Sequence, residues 1–143
     1  MEQRISLITL GVADLARSRR FYTDMGWTAL DTPDSGIVFF QLNGIVLSLY
    51  GLDDLAEDGN FGAPVAGFGG IVLAHNVADK AEVDRVLAAA QAAGGTLTQP
   101  ARDTFWGGYA GCFTDPDGHG WEVATAKSFV FDKHGNFSFA SDS

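Results

Sequence analysis

The chain has 143 residues, which is enough for one domain or for two small modules that share a core. Hydrophobic residues make up 46% of it and charged residues 19%, a balance that excludes disorder as the main state. The formal net charge of -9 argues against binding to nucleic acid phosphates or anionic lipid, which need basic surfaces, and favours cationic ligands.

The single cysteine, the first residues and the short apolar runs indicate the compartment in which the protein works. Cys112 is the one cysteine, so neither an intramolecular disulfide nor a cysteine-based zinc site is expected. The first residues carry both an acidic and a basic side chain before a short apolar run, which is not typical of a secretory signal. No apolar run approaches the roughly 20 residues that span a bilayer. We expect a cytoplasmic protein with neither a nucleic acid nor a membrane partner.

The first half of the chain predicts a strand, a helix and three further strands. Asp14 is typical of a helix N-cap, apolar residues recur at helical spacing up to Met25, and Gly26 stands where that helix should end. Asn43-Gly44 is a strong signal for a two-residue hairpin turn. The predicted strands are 5–12, 27–30, 36–42 and 45–50.

Residues 51–69 are rich in acids and glycine and are predicted to be a loop, after which the same plan returns. Asp79 is typical of the N-cap of a helix over 80–93, which Gly94-Gly95 ends. The predicted strands of this half are 70–77, 96–99, 108–114 and 120–125, and 115–118 form a turn between the last two.

Matching residues indicate a duplication. Val12-Ala13-Asp14 returns as Val77-Ala78-Asp79 with an offset of 65, and Asn43-Gly44 matches Asp117-Gly118 with an offset of 74. Neither half buries much core alone, so we expect a single domain over 1–143. Its parts are a first βαβββ module over 4–55, a second over 68–127, and a C-terminal arm or hairpin over 128–143 whose phenylalanines cover this subunit or a partner.

These motifs resemble the vicinal oxygen chelate superfamily, which includes glyoxalase I, bleomycin-resistance proteins and extradiol dioxygenases. The resemblance rests on the segment Val12–Leu15, on Phe21-Tyr22 and Gly26-Trp27, and on the segments 115–118 and Trp121-Glu122-Val123. It implies an α+β fold in which two tandem βαβββ modules form an incomplete barrel with a concave cleft. It also implies that the cleft holds a small ligand or a divalent metal, and that the protein forms a homodimer.

The metal positions that the resemblance implies are poorly filled. They fall on Leu7, on Ser48, on Gly70 or Val72, and on Glu122, and Glu122 is the only one with a strong ligand. A metal site of this kind needs about three protein ligands. His75 and His119 lie near two of the positions, but strand parity turns each away from them. We therefore expect no metal cofactor, although a divalent metal stays an alternative.

Other polar and aromatic residues are candidates for the cleft. Glu122 is the candidate catalytic or cation-pairing residue, and it is alternatively a structural strand residue. Trp106 and Tyr109 flank Gly107-Gly108 and predict either a loop over a pocket or a plug at the end of the barrel. The remaining candidate ligand-binding residues are Thr9, Gln41, Ser48 and Asn76.

Three functions stay open at this point. The first is metal-independent binding of a small cationic or aromatic molecule, as in bleomycin-resistance proteins. The second is an enzyme, either a metal-dependent lyase, isomerase or dioxygenase, or a catalyst that uses Glu122 without a metal. The third is a module whose cleft is filled by its own side chains.

Overall fold

The computed structural model describes residues 1–31 and 36–140, which form a mixed α+β fold divided into two compact units. Unit 1 covers 1–67 and unit 2 covers 68–143. Unit 1 contains β1 (Leu7–Val12), α1 (Leu15–Asp24), β2 (Ile37–Gln41), β3 (Val46–Gly51) and α2 (Leu52–Gly59). Unit 2 contains β4 (Val72–Asn76), α3 (Lys80–Ala92), β5 (Thr96–Asp103), β6 (Gly108–Thr114), β7 (Gly120–Ala126), β8 (Phe129–Phe131) and β9 (Phe137–Phe139). Within the described residues, no helix has the length and apolar character needed to cross a membrane.

The sheet of unit 1 has the strand order β1-β3-β2, with β1 parallel and β2 antiparallel to β3. Helix α1 contacts β2 and β3 and buries Phe21 and Tyr22. The ring of Tyr22 lies 6.0 Å from that of Phe40, so Phe40 and its register partner Leu47 belong to the face that α1 covers. Side chains alternate along a strand, and the neighbouring residues Phe39 and Ser48 therefore lie on the other face.

The sheet of unit 2 has the order β4-β7-β6-β5, and α3 contacts the last three of these strands. Its buried stripe is Val83, Val86, Leu87 and Ala90, as expected from helical spacing. Gly111 on β6 admits Leu87, since a Cβ at Gly111 would lie 2.5 Å from Leu87 Cδ1. This contact identifies the face of the sheet that α3 covers.

Both units use the same local devices to bound their first helix. Asp14 accepts a hydrogen bond from Arg17 N, and Asp79 accepts one from Glu82 N, so the two predicted N-caps are confirmed. Both helices end in a glycine with positive φ, +110° at Gly26 and +108° at Gly94. The residue after each glycine donates its N–H back into the last helical turn, which is the Schellman arrangement.

The structure corrects two predictions in unit 1. The expected strand over 27–30 is wrong, because the N–H of Trp27 is already bonded to Tyr22 O and only Leu30 N reaches Phe39 O of β2. The expected loop over 51–69 contains α2. Acidic residues occupy its first turn, Leu52 and Leu55 pack over Gly11, and a left-handed Asn60 ends it.

The segment after the second module is an antiparallel hairpin of β8 and β9. Its four phenylalanines pack mainly on each other, with ring centroids 5.0 to 5.9 Å apart. The ring of Phe129 also lies 6.3 Å from the ring of Trp106, so the hairpin packs against the segment between β5 and β6.

Candidate functional site

The register of the two sheets brings the predicted site residues to equivalent places. In unit 1, Thr9 on β1 lies opposite Ser48 on β3, and Ser48 lies opposite Phe39 on β2. In unit 2, Ala74 on β4 lies opposite Glu122 on β7. Both sets of residues lie on the face of their sheet that the first helix of the unit does not cover.

Thr9 and Ser48 satisfy each other in unit 1. Thr9 Oγ1 and Ser48 Oγ share a hydrogen bond of 2.7 Å, and Ser48 is buried. A buried hydroxyl without a partner is costly, so this bond stabilises the centre of the sheet. The two predicted ligand-binding residues are therefore brought together, but the bond uses one donor and one acceptor between them.

Glu122 has different surroundings in unit 2. It is half-buried, its neighbours across the sheet are the small residues Ala74 and Cys112, and Cys112 in turn lies opposite Gln99. Burial raises the pKa of the Cys112 thiol and the nearby charge of Glu122 raises it further, while the positive charge of Arg102 opposes the shift. No residue of the described part of the chain donates a hydrogen bond to the Glu122 carboxylate. A carboxylate in such a place can accept bonds from a ligand.

The strand register also decides which residues occupy the metal positions of the family. Leu7 and Ser48 of unit 1 correspond to Val72 and Glu122 of unit 2, so Val72 rather than Gly70 takes the ambiguous position. Leu7 and Val72 have no ligating atom, and the Ser48 hydroxyl is bonded to Thr9. Among residues 1–31 and 36–140, no three His, Cys, Asp or Glu side chains group around a common point. The donor set does not fit a divalent metal.

Gln41 and Asn76 lie at the ends of their strands. Gln41 is exposed, and its side-chain Nε2 donates to Leu42 O at 2.9 Å, so the amide folds onto its own turn. Asn76 is half-buried at the end of β4, opposite Ala124. Because Asn76 is two residues from Ala74, it shares the face that carries Glu122.

Trp106 and Tyr109 do not join that face. Trp106 lies over Gly108 and against Phe129 of the tail hairpin. The Tyr109 hydroxyl donates to Asp84 Oδ1 of α3 at 2.6 Å, and this bond raises the pKa of Tyr109. Tyr109 therefore lies on the face of the sheet that α3 covers, where it lines a cavity of about 500 Å³ at the N-terminal end of that helix.

Sequence reasoning missed the part that Asp115 plays in holding β7 in place. Asp115 is buried, and its Oδ1 accepts the N–H groups of Asp117 and His119. Its Oδ2 lies 2.7 Å from His119 Nδ1 in a third hydrogen bond. These bonds fix the turn three residues before Glu122. An Asp at the start of a turn that contains Pro and Gly is the signal that points to this role.

Comparisons with known proteins agree with the geometry. The sequence model described as "Glyoxalase/Bleomycin resistance protein/Dioxygenase superfamily" matches residues 4–123. The chain is 38% identical to a solved glyoxalase-related enzyme from Fulvimarina pelagi, over 98% of this chain and 100% of that one, with a TM-score of 0.87. No curated protein matches the sequence.

Two more distant solved structures share the fold alone. Lactoylglutathione lyase from Agrobacterium tumefaciens is 24% identical over 92% of this chain and 100% of its own, with a TM-score of 0.68. The fosfomycin resistance protein FosX from Mesorhizobium loti is 24% identical over 89% of this chain and 95% of its own, with a TM-score of 0.64.

Proposed function

Because this chain belongs to the Glyoxalase/Bleomycin resistance protein/Dioxygenase superfamily, we propose that it binds a small cationic or aromatic molecule without a metal ion. The binding surface is the face of the unit 2 sheet that carries Glu122. The observation that carries the proposal is the half-buried Glu122 carboxylate, which has no hydrogen-bond donor among the described residues.

The chemistry of this face favours a cation. A half-buried carboxylate has lost part of its hydration, and a ligand that brings a positively charged N–H group restores that stabilisation through a charge-assisted hydrogen bond. Ala74 and Cys112 are small, which leaves room above the carboxylate for the body of the ligand. The net charge of -9 raises the local concentration of cations around the whole chain.

An enzyme is the second candidate, and the similarity to a glyoxalase-related enzyme over nearly the whole chain favours it. In that case Glu122 acts as a general base that removes a proton from the bound substrate. The metal-dependent form of this alternative, a lyase, isomerase or dioxygenase, is not supported by the residues at the four metal positions.

The test uses purified protein, a library of small aromatic amines and guanidines, and a matched pair of variants. Thermal shift identifies binders and calorimetry gives their Kd. Glu122→Gln keeps the shape of the side chain and removes its charge, so we expect an affinity loss of about tenfold or more. Glu57→Gln removes a charge from the exposed surface of α2 and should change little.

Three outcomes would count against this function. Binders that keep their affinity in Glu122→Gln would place the ligand elsewhere. A library without a single binder would contradict the choice of ligand class. Tightly bound, stoichiometric metal in the purified protein would contradict metal independence.

We also propose that the protein is a cytoplasmic homodimer. In unit 2, β4 is an edge strand that begins with the exposed Val72 and follows the exposed Ile71, and apolar edges of this kind favour pairing with a second chain. Sedimentation velocity should give twice the mass of the 143-residue chain, and a monomer at micromolar concentration would contradict the proposal.

A further inference from the structure

The cavity at the N-terminal end of α3 lies on the face of the unit 2 sheet opposite to Glu122. It has a volume of about 500 Å³, within the range of small-molecule sites, and its lining includes Lys80, Tyr109, Thr125 and Lys127. Strand parity supports this placement, because Thr125 is an odd number of residues from Glu122 and is the register partner of Tyr109.

Thr125 is the residue that indicates a ligand. The residue is only 8% exposed and its hydroxyl has no hydrogen-bond partner among the described residues, but the Oγ1 atom itself keeps solvent-accessible surface. Because Thr125 lines the cavity, this hydroxyl can bond to a polar group of a ligand in place of water.

The end of α3 adds donors and positive potential. The 13-residue helix is capped by Asp79, which takes the N–H of Glu82. The N–H groups of Lys80 and Ala81 in the first turn have no partner among the described residues. Free N–H groups together with the helix dipole favour negative charge at this end of a helix.

The two lysines that line the cavity differ in whether they form an ion pair. Lys80 Nζ lies 2.9 Å from Asp103 Oδ1, and Asp79 is engaged with the helix. Lys127 makes no ion pair within the described residues, so it is the cation of the lining that is available to a ligand. The two acids and two bases of the lining balance each other, and the Asp84 carboxylate beside them is hydrogen-bonded to Tyr109. The end of the helix adds positive potential to this side of the cavity.

We propose that this cavity binds a small oxyanion, a carboxylate or a phosphate. The anion accepts hydrogen bonds from the Thr125 hydroxyl, the Lys127 ammonium group and the free N–H groups of the first turn of α3. Tyr109 forms an apolar wall for the body that carries the anion, since its own hydroxyl is occupied by Asp84. This second site is independent of the cation site at Glu122.

The experiment is a titration of the ¹⁵N-labelled full chain with inorganic phosphate and, separately, with acetate at constant ionic strength. We expect saturable shifts of the amide signals of Lys80, Ala81 and residues 125–127 in the millimolar range. Thr125→Val removes the hydroxyl at constant shape and Lys127→Gln removes the charge, and each should weaken binding about fivefold. Thr125→Ser should retain it.

Two controls separate this site from general attraction and from the cation site. Lys133→Gln removes an exposed charge between β8 and β9 and should leave the Kd unchanged, as should Glu122→Gln. Response to phosphate alone or to acetate alone identifies the source of the anion. Absence of saturation at tens of millimolar, or equal losses in Lys127→Gln and Lys133→Gln, would overturn the proposal. If Thr125→Val fails to fold, the exposed Lys127 decides the question.

Discussion

The two units keep the same folding devices and differ on one face of their sheets. Asp14 and Asp79 cap the two helices, and Gly26 and Gly94 end them with nearly identical φ angles. At equivalent register positions, however, unit 1 has a hydrogen-bonded Thr9 and Ser48, and unit 2 has Ala74 and Glu122.

This difference separates the residues that the fold needs from the residues that are free to change. A cap or a C-terminal glycine fixes the path of the backbone, so its loss costs stability in either unit. The side chains on the sheet face opposite the first helix do not set the path of the backbone. In unit 1 the two hydroxyl groups on that face bond to each other, whereas in unit 2 it carries a carboxylate to which no described residue donates a hydrogen bond.

The largest expected effect tests whether the two cores are equivalent. Phe40 and Phe113 are buried and stand at matching strand positions, so Phe40→Ala and Phe113→Ala should each lower the free energy of unfolding by about 3–5 kcal/mol. Urea unfolding followed by tryptophan fluorescence measures both. A loss below about 1 kcal/mol in one variant would show that the core of that unit is not a separate source of stability.

A smaller loss of stability is expected from a substitution at Gly111 of β6, whose equivalent on β2 of unit 1 is Val38. A Cβ at Gly111 would lie 3.0 Å from Ala101 N and from Gln99 O, both in the backbone of β5. Gly111→Val should therefore cost about 1–3 kcal/mol, although the same residue is native in unit 1. Thr98→Val on exposed β5 is the control. An unchanged unfolding midpoint for Gly111→Val would mean that the backbone of β5 can shift away from the new side chain at little cost in free energy.

Most of the helices and strands could be predicted from the sequence, because caps, turn glycines and side-chain periodicity are local signals. The α2 helix was missed because its acids and glycines favour a loop, and its stabilising contact, Leu52 over Gly11, is distant in sequence. Trp27 was assigned to a strand because no local signal shows that its N–H closes the α1 helix.

The candidate site was only partly predictable, for a related reason. Strand parity alone does not indicate that Thr9 and Ser48 share a face, because residues on two strands are brought together by the register between them. It does not indicate that Tyr109 bonds to Asp84, because this depends on how α3 packs on the sheet. The cavity beside Thr125 arises from four separate chain segments and has no signature in any one of them.

The third comparison is between the losses of stability that follow when the N-cap of α1 or of α3 is removed. Asp14→Ala and Asp79→Ala each remove a side-chain acceptor from the first turn of a helix, and each should cost about 1 kcal/mol. Asp14→Ser and Asp79→Ser keep an acceptor and should recover most of the loss in the same urea titration. Clearly unequal losses would show that one helix depends more on packing than on its cap.

The hydrogen bond of unit 1 should contribute about as much as one cap or less. Ser48→Ala removes a buried hydroxyl and leaves Thr9 without its partner, so we expect a loss of about 1 kcal/mol. Thr9→Val combined with Ser48→Ala should cost less than the two single losses added together, because both remove the same bond. Strict additivity in this double-mutant cycle would contradict the pairing.

The smallest expected effect is on the pKa of Cys112, which lies beside Glu122, the charge that has no equivalent in unit 1. Burial and the neighbouring Glu122 both raise the pKa of the Cys112 thiol, so its alkylation by iodoacetamide should rise with pH later than that of a free cysteine. Glu122→Gln removes one of the two causes that raise the pKa and keeps Arg102, which lowers it, so the pH midpoint should fall. The distant Glu57→Gln should not move it. A midpoint that does not respond to Glu122→Gln would mean that the Glu122 carboxylate is turned away from Cys112, and the basis of the cation site would then be lost.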